Sequence, residues 1–161
     1  MPRIGVLLPS TFDSAGEYFA DIAALDAAGA HCLCVEAAGP GDWVVLGAIA
    51  AASHRAAVGV VEAGEVPADS LATLERVSRG RAMVFERGES ARHLAVRGAE
   101  PPQIFHEVAV PPDRAAWTQS LAAADAAGAA GVVVPWDPRL IDLLRNPAAD
   151  EDRSDLLMST G

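Results

Sequence analysis

The chain has no lysine. Its twelve Lys-plus-Arg positions are all arginine, set against twenty-two Asp and Glu, for a formal net charge of −10 over 161 residues. Without lysine no G-x-x-x-x-G-K-[ST] phosphate loop exists, and no G-x-G-x-x-G follows the first apolar run, so a dinucleotide fold would lack its phosphate turn. Nor do the arginines gather into a basic patch. Binding a polyanion depends on such a patch, because the affinity comes from releasing counterions, so nucleic acid is not expected as a partner. The acid excess favours solubility.

Cysteine is equally scarce, with only Cys32 and Cys34. Residues i and i+2 of a strand share a face, and a disulfide between them would be strained, so both are expected to be buried, inert thiols. Two sulfurs without a second pair do not make a zinc site. There is no His-Glu-x-x-His and no support for a Ser-His-Asp set, so no metal is expected. Long apolar runs are missing too. The most apolar stretch, Trp43 to Val61, is broken by Ser53-His54-Arg55. Ile4 to Leu8 is too short for a secretory core. These absences lead to the expectation of a cytoplasmic protein with no membrane partner.

Hydrophobic residues make up 51% of the chain, enough for one substantial core at this length. The reading is one domain over residues 1–146, followed by an acidic flexible tail at 147–161. Apolar runs alternate with helical patterns throughout. Strands are expected at Arg3–Leu8, His31–Val35, Ala56–Val61, Ala82–Phe85, Gln103–Val110 and Gly131–Pro135. Helices are expected from Asp13 or Ser14 to Ala28, over Trp43–Ser53 behind an Asp42 cap, and from Asp69 or Ser70 to Gly80. Others follow over Ser90–Val96, Arg114–Ala127 and from Pro138 to Arg145. About six βα units result, which suits either a doubly wound sheet or a barrel.

One string goes further. In SLATLERVSRGR, residues Ser70 to Arg81, Leu71, Leu74 and Val77 recur at helical spacing and Gly80 stops the helix before a buried strand. It resembles the "LATLDRLSGGR" segment of the luciferase-like flavin and deazaflavin monooxygenases. RIGVLLPS, LDAAGAHCLCVEAA and WVVLGAIAAASHRAAVGV resemble that family's first three units, so the likeness runs from Arg3 to Glu86. It implies an α/β fold, here a reduced TIM-like barrel of about six βα units. It also implies a flavin- or deazaflavin-dependent oxidoreductase working at the C-terminal ends of the strands. The chain departs from the family pattern at Ala37, where a histidine is usual, and at Glu86, where glycine is usual. Those departures carry the alternative, a non-catalytic ligand-binding or accessory protein. A bound FMN or deazaflavin and no cofactor at all both stay open.

The strand ends name the candidate residues. Glu36 and Glu62 are read as acid–base groups, joined by His106 should it face the barrel interior. Ser10, Thr11, Glu86, Arg87 and Trp136 are the positions the resemblance places around a cofactor. In a barrel Glu36, Glu62 and Glu86 would converge on one rim. The expected partners are a small-molecule ligand and a second copy of the chain. An incomplete barrel would expose strand edges, and a homodimer covers them, with Trp43, Trp117 or the tail at the interface.

Overall fold

The computed structural model describes residues 1–146 other than Glu89 and Ala91. The tail expected at 147–161 lies outside the described residues. Strands β1 (Arg3–Leu7), β2 (Cys32–Ala37), β3 (Ala57–Glu62) and β4 (Ala82–Arg87) alternate with helices α1 (Ala15–Ala28), α2 (Pro40–Ala52) and α3 (Ala68–Val77). Two strands then follow directly, β5 (His93–Val96) and β6 (Ile104–Glu107), before α4 (Arg114–Ala126), β7 (Gly131–Pro135) and α5 (Arg139–Arg145). The seven strands close into a barrel in chain order, with β7 pairing β1.

This architecture corrects the sequence reading. The expected reduced TIM-like barrel of about six βα units does not form. Among the described residues there are seven strands, closed into a barrel, and five helices, and β5 runs antiparallel to both its neighbours. The helix expected over Ser90–Val96 is instead strand β5. The reason is chain length: the few residues between Arg87 and His93 cannot carry a parallel crossover, which takes a dozen or more. A tight reversal is what fits, and Gly88 N–H donates to the His93 carbonyl at 2.9 Å. Closure also leaves no strand edges for a second copy to cover, which removes one of the two grounds for expecting a homodimer, the other being apolar helix faces. Trp117, expected at an interface, is buried in the core at 1% exposure.

Local chemistry sets the helix ends. Ser14 Oγ accepts from Glu17 N–H, and Gly29 at φ 95° ends α1. Asp113 accepts from Ala116 N–H at 2.7 Å to start α4. Helix α2 begins at Pro40, earlier than expected, and Asp42 acts from inside its first turn by accepting from Ala38 and Gly39 N–H at 2.9 and 2.8 Å.

Strand alternation builds two cores. Outward residues Val6, Leu33, Val35, Val58, Val60, Val132 and Val134 meet the helices. Inward residues Cys32, Cys34, Val61, Phe85, Leu94, Phe105 and Val133 fill the barrel. Space inside is short, and glycine supplies it. A Cβ on Gly5 would lie 2.6 Å from Cys32 Sγ, one on Gly59 would strike Cys34 Sγ and the Phe85 ring, and one on Gly131 would strike Arg3 O and the Phe105 ring. The two thiols are buried and free, with their sulfurs 3.3 Å apart. The hydrogen bond shared with Cys32, and then burial, push the Cys34 thiol well above its ordinary value.

At the N-terminal pole of the barrel, the α2–β3 turn is held from two sides. The Asp26 carboxylate accepts from His54, Arg55 and Ala56 N–H at 3.0, 3.0 and 2.6 Å. The Arg81 guanidinium donates to the Ala50, Ser53 and Ala56 carbonyls at 2.9, 3.0 and 2.5 Å. One side chain takes the turn's donors and the other its acceptors, so its buried backbone is satisfied. Burial alone would push Asp26 up, but the backbone donors from Ala56, His54 and Arg55 outweigh it and hold the carboxyl below its ordinary value.

Three outcomes test this account. Gly131→Ala should destabilise the fold by about 1–3 kcal/mol in urea denaturation through overpacking. Gly47→Ala, in α2 with nothing near its missing Cβ, should stabilise by about 0.5–1 kcal/mol. Because the folded Asp26 carboxyl is more acidic than the unfolded one, its contribution is complete above the unfolded value, near pH 4, and is lost as pH falls through the folded value. Asp26→Ala should therefore cost about 2–4 kcal/mol at neutral pH, and the difference from wild type should shrink on acidification.

Candidate functional site at the barrel mouth

The C-terminal ends of β1–β4, β6 and β7 surround one pole of the barrel. Parity decides which of their last side chains look inward. Glu36 is in register with inward Val61, Arg87 with Leu94, and Glu107 with Val133, so all three stand over the interior core. Arg87 reaches across the mouth from β4. It donates to Glu36 Oε1 on β2 at 2.7 Å and to both oxygens of Glu107 on β6, at 3.1 and 2.9 Å. None of these strands neighbours another, so the guanidinium forms a crossbar over the opening. Hydrogen bonding to Glu36 leads the effects that raise the Arg87 pKa further.

Glu62 and Glu86 do not join this group. Glu62 is in register with outward Ala37, and Glu86 lies one residue past inward Phe85. Both face outward and share Arg97, which donates to Glu86 at 2.6 Å and also bonds Glu62. The convergence of Glu36, Glu62 and Glu86 on one rim is thus corrected: adjacent end positions on paired strands point to opposite faces. The carboxylate that does stand opposite Glu36 is Glu107. The sequence signal for it was its shared face with Phe105, which the expected strand already contained.

His106 also faces outward. Its ring stacks on His93 across the β5–β6 pair, with centroids 4.6 Å apart and planes at 15°. Burial, and then the charge of His93, lower its pKa. It does not reach the interior, so the condition attached to its catalytic reading is not met.

A cavity of about 630 Å³ opens beside the crossbar. It is lined by Ser10, Glu36, Asp42, Pro135 and Trp136 together with apolar residues of the β1 end. The β1–α1 loop is pinned there by Tyr18, whose hydroxyl donates to the Pro9 carbonyl at 2.8 Å and whose ring stacks on Phe12 at 4.2 Å. Burial pushes the Tyr18 pKa up to about 12, so the hydroxyl keeps its donated proton. Trp136 is fixed by its backbone N–H, which donates to the Leu7 carbonyl at 2.8 Å. Ser10 lines the cavity together with Asp42, while Thr11 is exposed and outside the lining. Backbone donation from Gly39 and then Ala38, with Ser10 adding to it, holds Asp42 below its ordinary value. A second recess of about 320 Å³ lies across Leu7 and Pro135 and includes Arg92 and Glu107.

This lining does not fit the flavin or deazaflavin phosphate that the resemblance implies. Such a phosphate needs an available cation or free helix N-terminal amides. Arg87 is engaged by two carboxylates, and the Ala38 and Gly39 amides at the start of α2 are occupied by Asp42. A phosphate in the cavity would face Glu36 and Asp42. Among the described residues, no group of three or more His, Cys, Asp or Glu could hold a metal ion. No helix among them is long and apolar enough to cross a membrane.

The crossbar has a measurable consequence. Arg87→Gln leaves Glu36 and Glu107 facing each other without their cation. Both ion pairs are partly solvated, so the loss should be about 1–2 kcal/mol at low salt and should shrink in about 1 M salt, as read from urea midpoints.

No family model matches the chain and no curated protein does, so the geometry of the mouth carries the functional reading.

Proposed function

We propose that this chain is a small-molecule-binding protein whose site is the cavity at the barrel mouth, and that it does not use a flavin there. The observation that carries this reading is the lining itself. Glu36, Asp42 and Trp136 line the cavity together, and the neighbouring guanidinium is already neutralised. A volume of about 630 Å³ lies within the range of small-ligand sites. Two carboxylates and an indole suit a ligand that donates hydrogen bonds or carries positive charge. The carboxylates accept and the aromatic face attracts a cation. Nothing in this arrangement requires turnover, in keeping with a non-catalytic binding role.

A second reading is the flavin- or deazaflavin-dependent oxidoreductase of the family that the segment from Arg3 to Glu86 resembles. Its support is Trp136 beside the strand ends, where a ring could stack.

Titration separates the two. The purified protein should show no flavin absorption, and FMN and deazaflavin, oxidised or reduced, should not bind saturably. Small primary and quaternary amines should quench tryptophan fluorescence saturably. Glu36→Gln with Asp42→Asn should weaken that binding by about ten-fold or more. Saturable micromolar binding of either cofactor would overturn the proposal in favour of the second reading.

A further inference from the structure

The opposite pole of the barrel has the reverse electrostatic character. A pocket of about 390 Å³ lies there, lined by Arg3, Ile4, Asp26, Gly29, His31 and Arg55 among others. Four guanidiniums elsewhere, those of Arg87, Arg97, Arg114 and Arg139, are matched to carboxylates. Among the described residues, Arg3 and Arg55 form no ion pair. The one acid of the pocket, Asp26, already has its oxygens on the His54, Arg55 and Ala56 amides. Arg3 is held in place by its Nε, which donates to the Ala130 carbonyl at 3.4 Å, and by its position 5.6 Å from the centre of the Phe105 ring. Its terminal nitrogens have no protein acceptor among the described residues.

His31 supplies the third element. Its ring stacks on Phe105, and its Nε2 is buried without a hydrogen-bond partner. An orphaned donor is the less tolerated of the two orphans, so the bare lone pair belongs on Nε2 and the ring proton on Nδ1. Burial, and then the Arg3 charge, lower the His31 pKa, which keeps the ring neutral at neutral pH. A neutral imidazole with its proton on Nδ1 is a donor on the side away from the closed nitrogen.

We propose that this pocket binds a small divalent oxyanion, a phosphate group, between the Arg3 and Arg55 guanidiniums with His31 Nδ1–H as a further donor. The planar forks of two arginines suit tetrahedral oxyanions, and the one carboxylate of the lining, Asp26, is taken up by three backbone amides. The site is separate from the mouth and does not depend on the reading given to it.

Nitrogen-15 NMR of the histidine rings tests this directly. Wild type should show the Nδ1–H tautomer at His31. Inorganic phosphate, added at constant ionic strength against chloride, should shift the His31 resonances saturably. Arg55→Gln, at an exposed position, should weaken that response by about ten-fold, and Arg3→Gln with Arg55→Gln should abolish it. Arg79→Gln, exposed and away from the pocket, should leave it unchanged. Glycerol phosphate run in parallel distinguishes the source: tighter binding than inorganic phosphate assigns the site to a phosphorylated organic molecule, equal binding to the free ion. A linear response, or one equal for phosphate and chloride, would overturn the proposal. So would an undiminished response in Arg55→Gln.

Discussion

Space inside the barrel is the constraint on which the rest of this structure depends. About eight strands leave an interior just wide enough for side chains, and seven leave less. Two phenylalanines still fit, Phe85 and Phe105, packed edge to face at 5.3 Å. They fit because Gly59 and Gly131 offer backbone instead of side chain beside them, as Gly5 does beside Cys32. Small interior groups on β1, β2, β3 and β7 and large ones on β4 and β6 make one packed filling. The buried thiols belong to the same economy of volume: Cys32 and Cys34 lie beside strands that present glycine to them.

Closure also sorts the charged residues. Once the interior is apolar and full, a charged side chain can face inward only at the last pleat before solvent. Glu36, Arg87 and Glu107 occupy that pleat, and Arg87 joins them across the opening. One residue along, Glu62 and Glu86 fall on the outer surface and share Arg97. The same Glu–Arg–Glu grouping thus occurs twice, on two sides of one wall. The inner grouping borders a cavity that Trp136 also lines.

The two poles differ in what the backbone leaves unsatisfied. At the mouth, Asp42 takes the amides at the start of α2, and the cavity beside it is acidic. At the other pole, Asp26 is consumed by three amides of the α2–β3 turn, leaving Arg3 and Arg55 without a carboxylate. A strongly acidic chain therefore keeps a small cationic recess. The local balance is set by which charged side chains line each recess, not by net charge.

The sequence by itself determined the elements whose signals are local. Asp13 or Ser14 and then Gly29 bound α1, Asp113 starts α4, and the run of valines at 132–134 makes a buried strand, because caps, turns and apolar alternation act over a few residues. It determined that Cys32 and Cys34 are buried, and that Phe105 and Glu107 share a face opposite His106. Only the tertiary structure decided that His93–Val96 is an antiparallel strand, because four residues take their conformation from the partners on either side. Strand register turned three similar strand-end glutamates to two different faces, and ring closure brought Glu36 and Glu107, seventy-one positions apart, onto one guanidinium. Distances across a mouth follow from register around the whole ring, and no single strand records them.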